Sequence, residues 1–227
     1  MSGPPEHPTV DTLEWSLIRG RGSQAVGFLQ GQLSQDVESL GDEQRWSLLL
    51  RPDSVVVTSL LARTADGGLD LVVPSGRVDD ALARLRRFLL RVDCVLDVVE
   101  SVEGPFATTA DLVAARWPGE NEFARELTPH SFGADVVAAT ISFTKGCYTG
   151  QELVGRLDSR GAKVPWRLVR ATGPTPGAID AVLRSRGPEG PQGVTTAVPA
   201  TGGVVALGVA HRTLVDGETS DVRIDTI

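Results

Sequence analysis

The stretch Lys145-Gly146-Cys147-Tyr148-Thr149-Gly150-Gln151-Glu152 sets a cation, a thiol, a phenol, a carboxamide and a carboxylate around two glycines. A core segment has no use for that mixture. Glycine lets backbone approach a ligand closely and adopt positive φ, so Gly146 and Gly150 are expected to hold the thiol on a tight, exposed loop. Thr140-Ile141-Ser142-Phe143, immediately upstream, reads as a short strand leading into it.

A thiol becomes nucleophilic as the thiolate, which nearby positive charge and backbone N–H dipoles favour. Lys145 and Arg156 supply such charge on either side of Cys147, and Gln151 and Glu152 can hydrogen-bond a heterocycle. A cysteine hydrolase fits poorly. The histidines are His7, His130 and His211, and a Cys–His dyad needs its imidazole within hydrogen-bond reach. His130 comes nearest to the loop in sequence. The plain alternative is a glycine turn carrying a buried cysteine. Cys94 and Cys147 are too few for a metal cluster or a disulfide scaffold. One cysteine can still be a ligand in a cluster shared between chains. Cys94, among Val92, Val95 and Leu96, reads as a small buried hydrophobe.

Upstream of the loop, the pattern is that of an α+β unit with an antiparallel sheet. Leu13 to Arg19 reads as a strand and Ser23 as the cap of a helix through Phe28 and Leu29, with a further helical turn after Gly31. Trp46–Leu50, Val55–Arg63 and Leu69–Val73 form hairpins across Pro52-Asp53 and Asp66-Gly67-Gly68. That succession argues against a nucleotide-binding reading of Gly20-x-Gly22-x-x-Ala25, which needs a parallel returning strand. Arg77 to Leu90 is the clearest helix, with Val78, Ala81, Leu82, Leu85, Phe88 and Leu89 on one stripe. Arg84, Arg86, Arg87 and Arg91 near its end read as a solvated basic face, with an RNA or protein contact as the alternative. Val95 to Val102 is the next strand, and a short helix is expected near Asp111 to Trp117.

Downstream, Leu153 to Arg156 continues as a strand or a helix start, and Val164 to Ala171 is a strand. A short helix over Ala178 to Arg184 and strands at Gly193–Val198, Val204–Ala210 and Val222–Ile227 follow. These last runs read as a small antiparallel barrel or sandwich. The expected division is residues 1–163 and 164–227.

The bulk properties bound the function. The chain has 227 residues, enough for a substantial core, and a net charge of −7 that argues against a general nucleic-acid binder. No apolar run approaches a membrane span, Met1 to Pro8 lacks a leader pattern, and the sparse cysteines suit a reducing cytoplasm.

Lys145 to Glu152, written KGCYTGQE, resembles the hallmark of the YgfZ family, folate-binding proteins of iron–sulfur cluster assembly that are themselves similar to T-protein, the aminomethyltransferase of the glycine cleavage system. Phe28 to Val37 (FLQGQLSQDV), Leu71-Val72-Val73-Pro74, Gly193-Val194-Thr195-Thr196 and Ala206 to Ala210 (ALGVA) resemble further family elements, so the likeness covers nearly the whole chain. It implies a T-protein-like folate-binding body followed by a C-terminal β-barrel. It implies a cytoplasmic accessory protein that uses tetrahydrofolate and serves iron–sulfur client or assembly proteins, tRNA-modifying enzymes among the clients. Cys147 would be the essential thiol, with Lys145, Gly146, Tyr148, Gly150, Gln151, Glu152 and Arg156 around the pocket. Two positions depart from T-protein. Thr58 and Ser59 stand where its catalytic Asp would be, and Ser131 stands where a Pro-x-Glu segment would carry a pterin-recognising Glu. A folate-dependent aminomethyl transferase is therefore the second expectation, and a ligand-free interaction scaffold the third. The stretch from Gly104 to Leu127 is also shorter than in typical members.

Overall fold

Alternating apolar residues and glycine-rich turns build the first sheet. The computed structural model describes residues 11–161, 163–214, 216–219 and 221–227, so His7 and the segment read for a leader lie outside the described residues. Strand β1 (Trp15–Arg21) leads through a turn at Gly22 into helix α1 (Ala25–Gln32). Strands β2 (Gln44–Leu50), β3 (Val56–Ala65) and β4 (Gly68–Pro74) follow as hairpins. Helix α2 (Val78–Arg86) and strand β5 (Val95–Val102) complete the unit. The sheet order is β2-β3-β4-β1-β5, and every pairing is antiparallel. Gly22, at φ +134°, sits where a Cβ would lie 2.4 Å from the Asp93 carbonyl oxygen. That glycine permits a close backbone crossing, which accounts for the glycine pair without a nucleotide.

One face of this sheet carries α1 and α2 over Ile18, Leu29, Leu60, Leu71, Leu82 and Leu85. Cys94 joins that cluster and is buried, as its apolar neighbours predict. Three details differ from expectation. Ser23 does not cap α1: its N–H and hydroxyl both donate to Asp93 Oδ2, at 3.0 and 2.6 Å. No helical turn follows Gln32, because Leu33 turns extended and bridges to Leu49. Helix α2 is also shorter than its apolar stripe, ending before Phe88, which is 38% exposed.

The middle of the chain is helical. Helices α3 (Thr109–Ala115), α4 (Glu120–Phe123), α5 (Ala134–Thr140) and α6 (Gln151–Ser159) follow in order, with a 3-10 turn over Pro129–Phe132. The strand expected at Thr140 to Phe143 is instead the end of α5 and an irregular link. The Thr140 hydroxyl donates back to the Val136 carbonyl at 2.6 Å, and Ser142 N–H crosses to the Ser34 carbonyl. Four residues rich in β-formers do not separate a strand from a helix end.

The second sheet comprises β6 (Trp166–Gly173), β7 (Gly193–Ala200), β8 (Gly203–His211), β9 (Gly217–Thr219) and β10 (Val222–Thr226), with helix α7 (Pro176–Arg184) between β6 and β7. Its order is β7-β8-β6-β10-β9. The expected barrel is replaced by an open sheet, since β7 and β9 are edges and do not pair with each other. Strand β9 pairs on the outer side of β10 and so forms the second edge. Between the two sheets runs one apolar cluster, from Leu48 and Leu50 through Phe132 and Val154 to Leu168, Leu207 and Val209. Among the described residues no helix is long and apolar enough to cross a membrane.

Candidate functional site

The octapeptide runs from the link after α5 into the first turn of α6. Its side chains divide between interior and solvent. The Lys145 ammonium turns inward and donates to the carbonyls of Gln30, Leu33 and Gln35 at 2.5, 2.8 and 2.9 Å. An ammonium has three protons, and all three are spent at the end of α1, where a cation complements the helix dipole. Burial pushes the Lys145 pKa down to about 8. The Tyr148 ring lies 5.4 Å from that nitrogen, is itself 8% exposed and belongs to the cluster between the sheets. Its phenol is pushed up to about 12 by the same burial.

The rest of the loop is pinned by backbone. Thr149 N–H donates to the Gly31 carbonyl at 3.0 Å, and Tyr148 N–H to Gln151 Oε1 at 3.1 Å. Gly150 has φ +88°, and a Cβ there would stand 2.6 Å from the Arg51 carbonyl oxygen. Gly146 has neither constraint: nothing lies within 4 Å of its would-be Cβ. Glu152 and Arg156 pair at 2.5 Å on the exposed face of α6, both more than half exposed. Cys147 is a free, exposed thiol. The structure thus leaves Cys147, Glu152 and Arg156 facing solvent, while Lys145, Tyr148 and Gln151 make contacts within the chain.

No described hydrogen bond joins Cys147 to a histidine. His130 is buried with both ring nitrogens unpartnered, and burial lowers its pKa. His211 lies on the second sheet, sharing Nδ1 with the Thr213 hydroxyl at 2.8 Å. Among the described residues no group of three or more His, Cys, Asp or Glu side chains is placed to hold a metal.

The hydroxyl positions singled out in the sequence are closed. Thr58, Ser59 and Ser131 are all buried. Trp117 Nε1 donates to Ser59 Oγ at 3.3 Å, and Trp117 packs on Trp46 with ring centres 4.5 Å apart. The cavity touching Ser59, walled by Trp15, Pro74 and Leu112, holds about 20 Å³.

A larger cleft of about 780 Å³ opens beside the β2–β3 turn, and here the sequence reading missed a residue. Arg84, expected on a solvated face, is 7% exposed. Its Nε donates to the Leu50 carbonyl at 2.6 Å and its Nη1 to Gln32 Oε1 at 3.0 Å, while Nη2 has no acceptor. Burial, with Arg87 nearby, holds its pKa down to about 10. Gln32 Oε1 also accepts from Thr149 Oγ1 at 3.3 Å, which ties the cleft wall to the thiol loop. Position 84 flanks the apolar stripe and lies four residues before Phe88, whose ring its guanidinium covers at 4.4 Å. That i, i+4 relation was the available signal.

No family model matches the sequence, and no curated protein matches it. Among solved structures, the glycine cleavage system aminomethyltransferase T from Bartonella henselae matches with a TM-score of 0.62 at 16% identity. The match covers 96% of this chain and 86% of that one. At that identity the likeness concerns architecture alone: two antiparallel sheets with their helices make a T-protein-like fold.

Proposed function

We propose that this chain is a YgfZ-like accessory protein supporting the assembly or repair of iron–sulfur clusters in client enzymes, with Cys147 as its working thiol. The observation that carries this reading is an exposed thiol on a loop whose neighbours, Lys145 and Tyr148, are fixed inside the protein. A thiol presented on a rigid loop, rather than beside a histidine base, is suited to meet a partner chain. Once its proton has gone to solvent, the thiolate is a soft ligand for iron–sulfur metal. The T-protein-like fold and the octapeptide agree with this reading.

An aminomethyl transferase is less well supported. Buried Thr58 and Ser59 hydroxyls replace the acid that would handle its proton. Tetrahydrofolate is the small-molecule partner that the resemblance implies. Beside Ser59, the position assigned to the catalytic Asp, the cavity of about 20 Å³ admits a water and not a ring system. Folate would have to bind in other space. That closed cavity favours a second reading, a scaffold that acts through Cys147 without folate.

The test combines two measurements. Anaerobic calorimetry with tetrahydrofolate, on wild type and Cys147→Ala, separates the folate-binding form from the scaffold: binding in neither protein selects the scaffold. Activity of iron–sulfur enzymes in cells carrying Cys147→Ala tests the thiol. The variant is expected to fold normally, within about 0.5 kcal/mol of wild type as exposed substitutions do, and to lose client support. Full client activity in that variant would overturn the proposal.

A further inference from the structure

The cleft beside α2 is built around a charge that the protein does not neutralise. Four arginines, Arg51, Arg77, Arg84 and Arg87, and three carboxylates line it. The carboxylates are already engaged. Arg51 pairs with Asp53 and Glu126, each at 2.7 Å, and Arg77 pairs with Asp80 at 3.0 Å while donating to the Val57 carbonyl. Arg84 and Arg87 are left without an acidic partner among the described residues. For Arg87, which is exposed, water suffices. For Arg84 it does not: the side chain is more than nine-tenths buried, its two acceptors are neutral, and Nη2 has none. Removing a guanidinium from water without a counter-charge is costly, and proteins rarely keep such a group unpaired.

The remaining wall is apolar, with Val56, Phe123 and Ala83 contributing. The volume lies within the range of small-molecule sites. Guanidinium groups recognise carboxylates and phosphates through paired N–H donors. We infer that this cleft is a binding site for a small organic anion, a carboxylate or a phosphate carried on a flat apolar body, with Arg84 and Arg87 meeting the anion and the Val56–Phe123 wall meeting the body. The inference stands apart from the thiol and from any folate reading, since it rests on the unpaired buried guanidinium and the cleft that it lines. Occupancy would also be felt at the thiol loop, because Arg84 and Thr149 share the Gln32 side-chain oxygen.

The test is a titration of the full chain with phenyl phosphate and, separately, with benzoate, followed by backbone and arginine side-chain NMR shifts. Fragments of about ten heavy atoms bind in the millimolar range, so saturable shifts at Arg84 and Phe123 are expected in that range for at least one anion. The better binder identifies phosphate or carboxylate as the natural head group. Arg87→Gln is expected to weaken binding tenfold or more, and Arg84→Met at least as much. Arg86→Gln, on the same helix but outside the cleft, should titrate as wild type. Arg87 is exposed, so its variant keeps the test decisive even if Arg84→Met fails to fold. No saturable shift with either anion, or equal effects of Arg86→Gln and Arg87→Gln, would overturn the inference.

Discussion

Replacing Lys145 by Met asks whether the octapeptide's lysine serves the fold or a ligand. The substitution keeps most of the stem and removes the ammonium, so the carbonyls of Gln30, Leu33 and Gln35 lose their shared donor. Hydrogen bonds to a charged group contribute roughly 1.5–3 kcal/mol each. Against three of them stand the desolvation of the ammonium and about 2 kcal/mol of side-chain entropy in holding it. A net loss of about 3 kcal/mol is expected, which for a chain of this size lowers Tm by roughly 6–12 °C. Urea unfolding at pH 7 measures it, with the exposed Lys163→Met as the control, expected within about 0.5 kcal/mol of wild type. The pH dependence gives a second reading of the same residue. The folded pKa of about 8 lies below the ordinary 10.5, so between those values the unfolded chain holds a proton that the folded one has released. Raising pH then favours the folded state, so the stability gap between wild type and variant should widen across that window. A loss below about 1 kcal/mol at pH 7, together with a gap flat in pH, would refute the structural role and return Lys145 to ligand contact.

Two further perturbations follow from the same region. Gly150→Ala should cost about 2–4 kcal/mol, from its positive φ and a Cβ against the Arg51 carbonyl, whereas Gly146→Ala should be nearly neutral. Paired denaturation curves test that contrast, and equal effects would contradict the loop geometry. His130 is held neutral by burial, with its pKa lowered from 6.5. Protons then bind the unfolded chain first as pH falls below that value, so wild-type stability should drop there while His130→Leu stays flat. Parallel pH slopes for the two proteins would show that another group is responsible.

The hairpins of the first sheet were legible because turn residues punctuate alternating strands, and α2 because its stripe repeats at helical spacing. Their register and order needed the coordinates. The octapeptide announced itself by composition, yet its division into inward and outward side chains did not. Nothing in a sequence says that Lys145 reaches back to the end of α1, more than a hundred residues earlier. Tyr148 offered a phenol to a ligand on paper and a ring to the core in three dimensions. Arg84 was misread for a related reason: charge suggests water, and the Leu50 carbonyl and Gln32 side-chain oxygen that hold its guanidinium inside belong to distant stretches of the chain. The barrel failed because closure depends on which strands become edges, a long-range property that strand propensity does not carry.

The apolar cluster that joins Leu48 and Leu50 to Leu207 and Val209 has a bearing on how the molecule can be divided. A cut at residue 163 would pass through a shared interior and strip one wall from each half, leaving two fragments with open oily faces. The two sheets should therefore melt together in a single cooperative step, which calorimetry of the full chain would show as one transition.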